Sequence, residues 1–155
     1  MNTILGELGK SSKFCEYIKS IENKKSPIAI SGLTDVGMVQ MLAATKEFVK
    51  RPICIITYNE IQARKIVEDL NYFTDQVIYL PKKEIVTYDY IAESKDLPYE
   101  RIESLNKIQE MKTGIVVTTV EAAIQKMISK EDLYKNTLSF KVGQEYKIED
   151  INKNL

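Results

Sequence analysis

Short apolar segments alternate with amphipathic segments along most of the chain, and this alternation constrains the fold more than any other feature. Several apolar runs are rich in β-branched residues on both faces, as strands covered by helices on both sides are. Strand–helix repetition with short links favours right-handed crossovers and a parallel sheet. The predicted fold class is therefore α/β, a parallel sheet with helices on both faces. The predicted strands are 27–31 (PIAIS), 53–57 (ICIIT), 76–80 (QVIYL) and 114–118 (GIVVT), and the predicted helices are 38–49, 59–73, 99–111 and 120–128.

Two segments depart from this pattern and bear on domain organisation. Residues 82–104 are polar and predict a surface excursion that ends in the helix over 99–111. Residues 138–142 alternate like a half-exposed strand, and 148–155 read as the beginning of a helix. We therefore predict a first domain over residues 1–128 and the start of a second α/β domain over 129–155.

Composition excludes several classes of function. The 155 residues include 22 basic and 22 acidic side chains, and this zero net charge argues against a dedicated nucleic-acid binder. The absence of histidine removes the commonest general base and metal ligand, and we predict neither catalytic residues nor a metal site. Cys15 and Cys54 could form a disulfide in principle, but we expect two buried or half-buried free thiols. No apolar run approaches a bilayer span and no signal peptide is evident, which predicts a cytoplasmic protein without membrane contact.

The segment from Gly32 to Gly37 follows the first predicted strand and opens the first predicted helix. Its two glycines have the spacing of a phosphate-binding loop, in which lysine and then serine or threonine follow the second glycine. Here Met38 replaces the lysine that would neutralise phosphates, and Val39 replaces the hydroxyl that would hold magnesium. Asp35 adds a negative charge where an anion would bind. We interpret the loop as the relic of a phosphate loop and expect no bound cofactor, because a purely conformational turn into a helix also accounts for the two glycines.

No acidic pair restores nucleotide chemistry. The strand at 114–118 runs into Thr118, Thr119, Val120 and Glu121, and lacks the Asp-Glu pair that would coordinate magnesium and polarise water. We expect Thr118 and Glu121 to cap the following helix, as Asn59 and Gln62 cap an earlier one.

The order of several motifs resembles that of a known family. The motifs are 26–34 (SPIAISGLT), 84–89 (EIVTYD), 100–102 (ERI), 114–125 (GIVVTTVEAAIQ) and 138–144 (LSFKVGQ). Together they resemble the N-terminal module of bacterial transcription-repair coupling factors over about residues 5–155. That module is similar to the first domains of the helicase-fold subunit of the excinuclease, with the nucleotide site lost. The resemblance therefore implies a degenerate helicase-like domain.

The sequence also distinguishes the two related families. The helicase-fold excinuclease protein keeps an intact phosphate loop and inserts a long tyrosine-rich hairpin after a Tyr-Asp-Tyr run. In this chain, Tyr88-Asp89-Tyr90 is followed by only residues 91–99 before Glu100, which is too short for such a hairpin. Tyr88 and Tyr90 could stack on bases or could be half-buried packing residues. The resemblance is therefore closer to the coupling factor.

The resemblance implies a role for a longer protein. Coupling factors displace RNA polymerase stalled at a DNA lesion, use ATP and magnesium in motor domains, and recruit the damage-recognition excinuclease protein through a second domain. Most residues that would contact this partner are expected beyond Leu155. The N-terminal module is also implied to pack on other domains of the same protein and hold it inactive until polymerase is engaged.

Three hypotheses follow. The first is a non-catalytic scaffold and regulatory module of a coupling factor. The second is a nucleotide-dependent enzyme of the helicase-fold excinuclease type, in which Lys112 or Arg101 would replace the missing lysine. The third is a single-strand binding module that uses the tyrosines.

Overall fold

A computed structural model describes residues 3–83, 96–135, 137, 142–143 and 145 of the chain. The chain divides into two compact units, Met1–Gln125 and Lys126–Leu155. The boundary that the sequence predicted, between residues 128 and 129, stays a prediction. The elements in chain order are α1 (Thr3–Leu8), α2 (Ser12–Glu22), α3 (Asp35–Phe48), β1 (Pro52–Thr57), α4 (Glu60–Asn71), β2 (Val77–Leu80), α5 (Asp96–Glu110), β3 (Gly114–Thr119), α6 (Val120–Ile124) and α7 (Lys130–Lys135).

Three parallel strands form the sheet in the order β1-β3-β2, which confirms the predicted α/β class and the parallel sheet. The central strand β3 pairs with β1 from Pro52↔Gly114 to Thr57↔Thr119. It pairs with β2 from Val77↔Ile115 to Leu80↔Thr118. All six residues of β3 are buried, as expected for a strand with neighbours on both sides and layers on both faces.

The main core lies on one face of this sheet, against the helices α1–α4. Ile115 and Val117 of β3 point into it, and α4 contributes Ala63, Ile66 and Leu70, which have the helical spacing of a single buried face. The other buried members come from the first three helices: Leu5, Phe14, Ile18, Val39, Ala43 and Ala44. Apart from Phe14, the buried members of this core are aliphatic or small side chains.

Helix α5 lies on the other face. The connection from β1 to β2, which contains α4, crosses the sheet in one direction, and the connection from β2 to β3, which contains α5, crosses it in the opposite direction. Because both crossovers are right-handed, α4 and α5 lie on opposite faces. The hydroxyl of Ser104 donates to the Tyr79 carbonyl at 2.8 Å, and the Arg101 guanidinium donates to the Pro81 carbonyl. Polar contacts therefore fix α5 to the end of β2.

Side-chain caps set the starts of three helices. Thr34 accepts a hydrogen bond from the Gly37 N–H at 3.1 Å, and Asn59 accepts one from the Gln62 N–H at 2.8 Å, as predicted for residue 59. The cap of α6 is Thr119, which accepts from the Ala122 N–H at 3.2 Å. The prediction of Thr118 was wrong by one residue because the Thr118 hydroxyl instead donates to the Leu80 carbonyl at 2.9 Å.

The predicted buried strand over 27–31 was wrong. These residues are exposed and form no ladder, with Ile28 38% and Ile30 45% exposed. An apolar run supplies the side chains of a strand, but it becomes one only when a neighbouring strand receives its backbone groups. None of the three described strands pairs with this segment.

Other predicted boundaries shift by a few residues. Helix α3 begins at Asp35 rather than residue 38 because the Thr34 cap opens it earlier, and α5 spans Asp96–Glu110 rather than 99–111. Helix α6 ends at Ile124 rather than 128. The reason is that the Gln125 amide bonds both the N–H (2.6 Å) and the carbonyl (2.9 Å) of Lys83, with Gln125 extended.

The expectation of buried or half-buried cysteines was also wrong. Cys15 and Cys54 are both free and exposed. Cys54 alternates with half-buried neighbours on β1, on the face of that strand opposite the main core. Among the described residues, β3 is buried along its whole length, whereas β1 is exposed at Cys54 and Ile56.

Several expectations fall outside the described residues, namely the excursion around Tyr88 and Tyr90 and the helix over 148–155. Of the predicted strand over 138–142 only Val142 is described, and it lies in a turn with Gly143. Among the helices of the described ranges, none combines the length and apolar character needed to cross a bilayer.

Replacing Leu70 by alanine is expected to lower the free energy of unfolding by about 3 kcal/mol, because Leu70 is fully buried at the centre of the core. Ile61→Ala on the same helix is the matched control, since Ile61 is 81% exposed, and its effect should stay within about 0.5 kcal/mol. Urea unfolding followed by circular dichroism measures both. Equal effects of the two substitutions would contradict the assignment of the α4 core face.

Candidate functional site

The predicted phosphate-loop residues occupy the turn into α3 and its first turns. Gly32 has φ +80°, a conformation that favours glycine, and a Cβ there would meet no atom within 4 Å. Gly37 lies within the helix, where its N–H is held by the Thr34 hydroxyl. The first glycine thus serves the backbone turn, and the second glycine sits in a capped helical turn.

The three side chains that replace phosphate-loop chemistry point to different surroundings. Val39 is 2% exposed and belongs to the core, and half-buried Met38 packs against the same core. Asp35 is exposed and forms an ion pair with Lys65 of α4 at 3.6 Å. The structure therefore does not bring these residues together around one ligand-sized space.

A small cavity of about 110 Å³ lies at the carboxyl ends of the strands, which is where open α/β sheets bind their ligands. It is formed where β1 leads into α4, where β3 leads into α6, and where the chain leaves β2. Its lining residues are Tyr58, Asn59, Glu60, Tyr79, Lys82, Thr119 and Glu121. This cavity is the candidate site of the first unit.

Both carboxylates of the cavity are paired with cations. Lys82 Nζ lies 2.7 Å from Glu121 Oε2, and Arg64 Nε lies 2.8 Å from Glu60 Oε1. The Arg64 guanidinium also lies 4.6 Å from the centroid of the Tyr79 ring and 3.7 Å from Glu100 Oε2. The cavity and its neighbours combine two cations with three carboxylates around an aromatic ring.

This environment shifts two pKa values. Desolvation raises the pKa of Tyr79 above its ordinary 10.0, the Glu60 carboxylate acts in the same direction, and the Arg64 cation opposes them. The hydrogen bond that Arg64 donates to Glu60 raises the pKa of Arg64, so that its charge is held more firmly. At neutral pH the site therefore presents a neutral phenol and a fixed guanidinium.

The two cations that could have replaced the missing lysine lie away from the turn into α3. Arg101 is 7% exposed, its guanidinium donates to the Pro81 carbonyl, and burial lowers its pKa. Lys112 precedes β3 and lines a wide groove of about 580 Å³ at the amino ends of the strands, beside Asp75 and Lys107. The cation that does approach the loop is Lys65, which pairs with Asp35.

The described side chains of the cavity offer charged, polar and aromatic groups for contact with a ligand. Within the described ranges no cluster of three or more Cys, Asp or Glu side chains could hold a metal ion. Desolvation raises the pKa of the Cys54 thiol, which disfavours the reactive thiolate. The cavity offers an aromatic ring, two ion pairs and capped helix ends, which suit binding.

Sequence reasoning found part of this site. The capping spacing identified Asn59, and the motif at the end of β3 identified Glu121, but as a capping residue rather than as the partner of Lys82. Tyr79 and Lys82 were missed. Their position where a predicted strand ends was the available signal, because the carboxyl ends of parallel strands meet at one edge.

Comparison with known proteins adds a family resemblance. No protein-family model matches the chain, and no solved structure matches it. A transcription-repair-coupling factor of Bacillus subtilis (strain 168) is 24% identical over 139 residues, which is 88% of this chain. One from Staphylococcus aureus (strain MRSA252) is 24% identical over 155 residues, or 97% of the chain. This chain is similar to transcription-repair-coupling factors.

The matched region is a small part of each coupling factor. The chain spans 12–13% of the length of these coupling factors, so most of each relative lies outside the matched part. The match reaches across both compact units, and the resemblance stated from the sequence motifs is confirmed.

Stability is expected to fall as the pH rises past about 10, because the folded-state pKa of Tyr79 is the higher one. The contribution of the neutral Tyr79 phenol to the free energy of unfolding is fully present below the unfolded-state pKa. It is lost as the pH rises through the folded-state pKa. Tyr79→Phe should flatten this part of the pH profile. Tyr72→Phe is the matched control, since Tyr72 is 83% exposed. Urea unfolding between pH 8 and 11 tests this, and identical profiles for wild type and Tyr79→Phe would contradict it.

Proposed function

We propose that this chain is a non-catalytic scaffold and regulatory module from the N-terminal region of a transcription-repair-coupling factor. Similarity to coupling factors over 88–97% of the chain is the observation that carries the proposal. In this proposal the first unit is a degenerate helicase-like domain, and a second, partner-binding domain begins near residue 129.

The geometry of the former loop supports the non-catalytic part of the proposal. A phosphate loop needs a cation and a hydroxyl that face the phosphates, since positioning and charge neutralisation supply most of the catalysis. Here Met38, at the position of the cation, packs against the core, and Val39, at the position of the hydroxyl, is buried in it. The nearby cation Lys65 forms an ion pair with Asp35. The side chains around the turn therefore make contacts within the fold, to the core and to α4.

The activity belongs to the full-length protein in this proposal. That protein would displace RNA polymerase stalled at DNA lesions, with ATP and magnesium bound in motor domains outside this chain. It would recruit the damage-recognition excinuclease protein of nucleotide excision repair through the second domain, whose contact residues lie mostly beyond Leu155. The present residues would contact other domains of the same protein and restrain the motor.

A nucleotide-binding enzyme of the helicase-fold excinuclease type is the second candidate. Two observations favour this candidate: Gly32 has a positive φ, and Thr34 caps the start of α3. Together they form a glycine-containing turn at the N-terminus of a helix. It requires a cation near the phosphates, and Lys65 at its 3.6 Å ion pair with Asp35 is the residue in position.

Nucleotide titration separates the two candidates. We expect no saturable binding of a fluorescent ATP analogue with magnesium, and ATP hydrolysis at the level of a protein-free control. Gly37→Ala is the matched variant: alanine favours the helix by about 0.5–1 kcal/mol, so the fold is retained, while the added Cβ lies 3.2 Å from the Thr34 hydroxyl and narrows the turn. Turnover that the native chain shows and Gly37→Ala abolishes would establish the enzyme instead.

The regulatory role has a separate test in the full-length protein. Deleting residues 1–155 is expected to raise its basal ATPase activity in the absence of polymerase, because the restraint on the motor is removed. A steady-state ATPase assay of both proteins measures this. An unchanged or lower rate would contradict the regulatory role while leaving the family resemblance intact.

A further inference from the structure

The two outer edges of the three-stranded sheet are treated differently. At the β2 edge, α5 supplies side chains to outward carbonyls: Ser104 donates to Tyr79, and Arg101 donates to Pro81. Natural sheets cover or charge their edges because unpaired N–H and C=O groups attract further strands. The β2 edge is therefore protected by the chain's own helix.

The register shows which groups of β1 face outward. The Ile115 N–H of β3 donates to the Gln76 carbonyl on the β2 side at 2.9 Å. Backbone groups alternate in direction along a strand, so Val116 and Thr118 face β1. With Cys54 paired to Val116, the residues of β1 that face β3 are the odd-numbered ones, and Cys54 and Ile56 direct their N–H and C=O groups away from the sheet.

Nothing in the composition of β1 protects this edge. The strand reads PICIIT and carries no charge, and its proline is the first residue, where it does not interrupt pairing. Ile56 is 55% exposed and Cys54 is exposed, so the edge adjoins uncovered apolar surface. Among the described residues no strand pairs with β1 on this side. An unblocked apolar edge of this kind is a template for strand addition.

We propose that the outward edge of β1 pairs with an extended apolar strand supplied by the part of the full-length protein outside these 155 residues. The inference rests on the proposed function, because it requires the chain to be part of a longer coupling factor. The matched relatives leave ample sequence for this strand, since the chain spans only 12–13% of their length. The exposed segment 27–31 of this chain is not the occupant, because it is described in the structure and pairs with none of the three strands.

Amide hydrogen exchange in the isolated chain and in the full-length protein tests the pairing. We expect the Cys54 and Ile56 amides to exchange rapidly in the isolated chain and about a hundredfold more slowly in the full-length protein. Ile55, which faces β3, is the internal reference and should be protected in both. Alkylation of Cys54, followed on its own peptide by mass spectrometry, should slow in parallel, because the added strand narrows access to Cys54.

A proline pair provides the matched variants. Ile56→Pro removes an outward N–H and leaves the bonds to β3 intact, so the isolated chain should keep its unfolding midpoint. The same substitution in the full-length protein should restore rapid exchange at Cys54. Ile55→Pro removes an inward N–H and should destabilise both proteins.

Three results would overturn the inference. Equal exchange at Cys54 and Ile56 in both proteins would exclude pairing with a strand from outside these 155 residues. Protection in the isolated chain that grows with protein concentration would assign the edge to a second copy. Protection in the full-length protein that survives Ile56→Pro would show that the edge is covered without pairing. None of these results concerns nucleotide turnover, so failure here is distinguishable from failure of the proposed function.

Discussion

Strand β3 is the element on which the remainder of the sheet depends, because β1 and β2 each pair with it and neither pairs with the other. Its backbone faces both neighbours in alternation, and its side chains enter the layers on both faces. Ile115 and Val117 meet the α4 side, while Thr118 uses its hydroxyl to hold the Leu80 carbonyl. A single buried strand thus couples the main core, the β2 edge and the start of α6.

Hydroxyl groups satisfy the backbone where the strands end, and this determines what the carboxyl edge can do. Thr57 donates to the Asn59 carbonyl at 2.9 Å, and Thr119 caps α6. With Glu60 and Glu121 held in ion pairs, the polar groups of this edge already have partners. A site whose carboxylates are already held in ion pairs offers fixed charges for contact with a polar surface.

The sequence predicted the parts of the fold that local chemistry determines. The α4 cap at Asn59 and the three strands that pair follow from spacing and apolar periodicity. Residues 27–31 were misassigned because strand formation depends on a partner that periodicity cannot reveal. Which residues of β1 are exposed, Cys54 among them, likewise depends on which other elements pack on the strand, and periodicity does not reveal that. Of the cavity, only residues with a capping or motif signal could be found, since the Lys82–Glu121 pair joins residues 39 positions apart.

The turn from Gly32 to Gly37 and the core are one structural arrangement, and this limits how a phosphate-binding loop could be built there. A hydroxyl at position 39 would replace a side chain that is 2% exposed, and an unpaired buried hydroxyl costs about 1–3 kcal/mol. An ammonium at position 38 would leave the core contacts of Met38 and would reach a turn whose aspartate already binds Lys65. Each change toward a phosphate loop therefore weakens the packing of α3 against α4. In the proposed scaffold this packing is the function that the loop residues retain, because a module that restrains a motor must first hold its own shape.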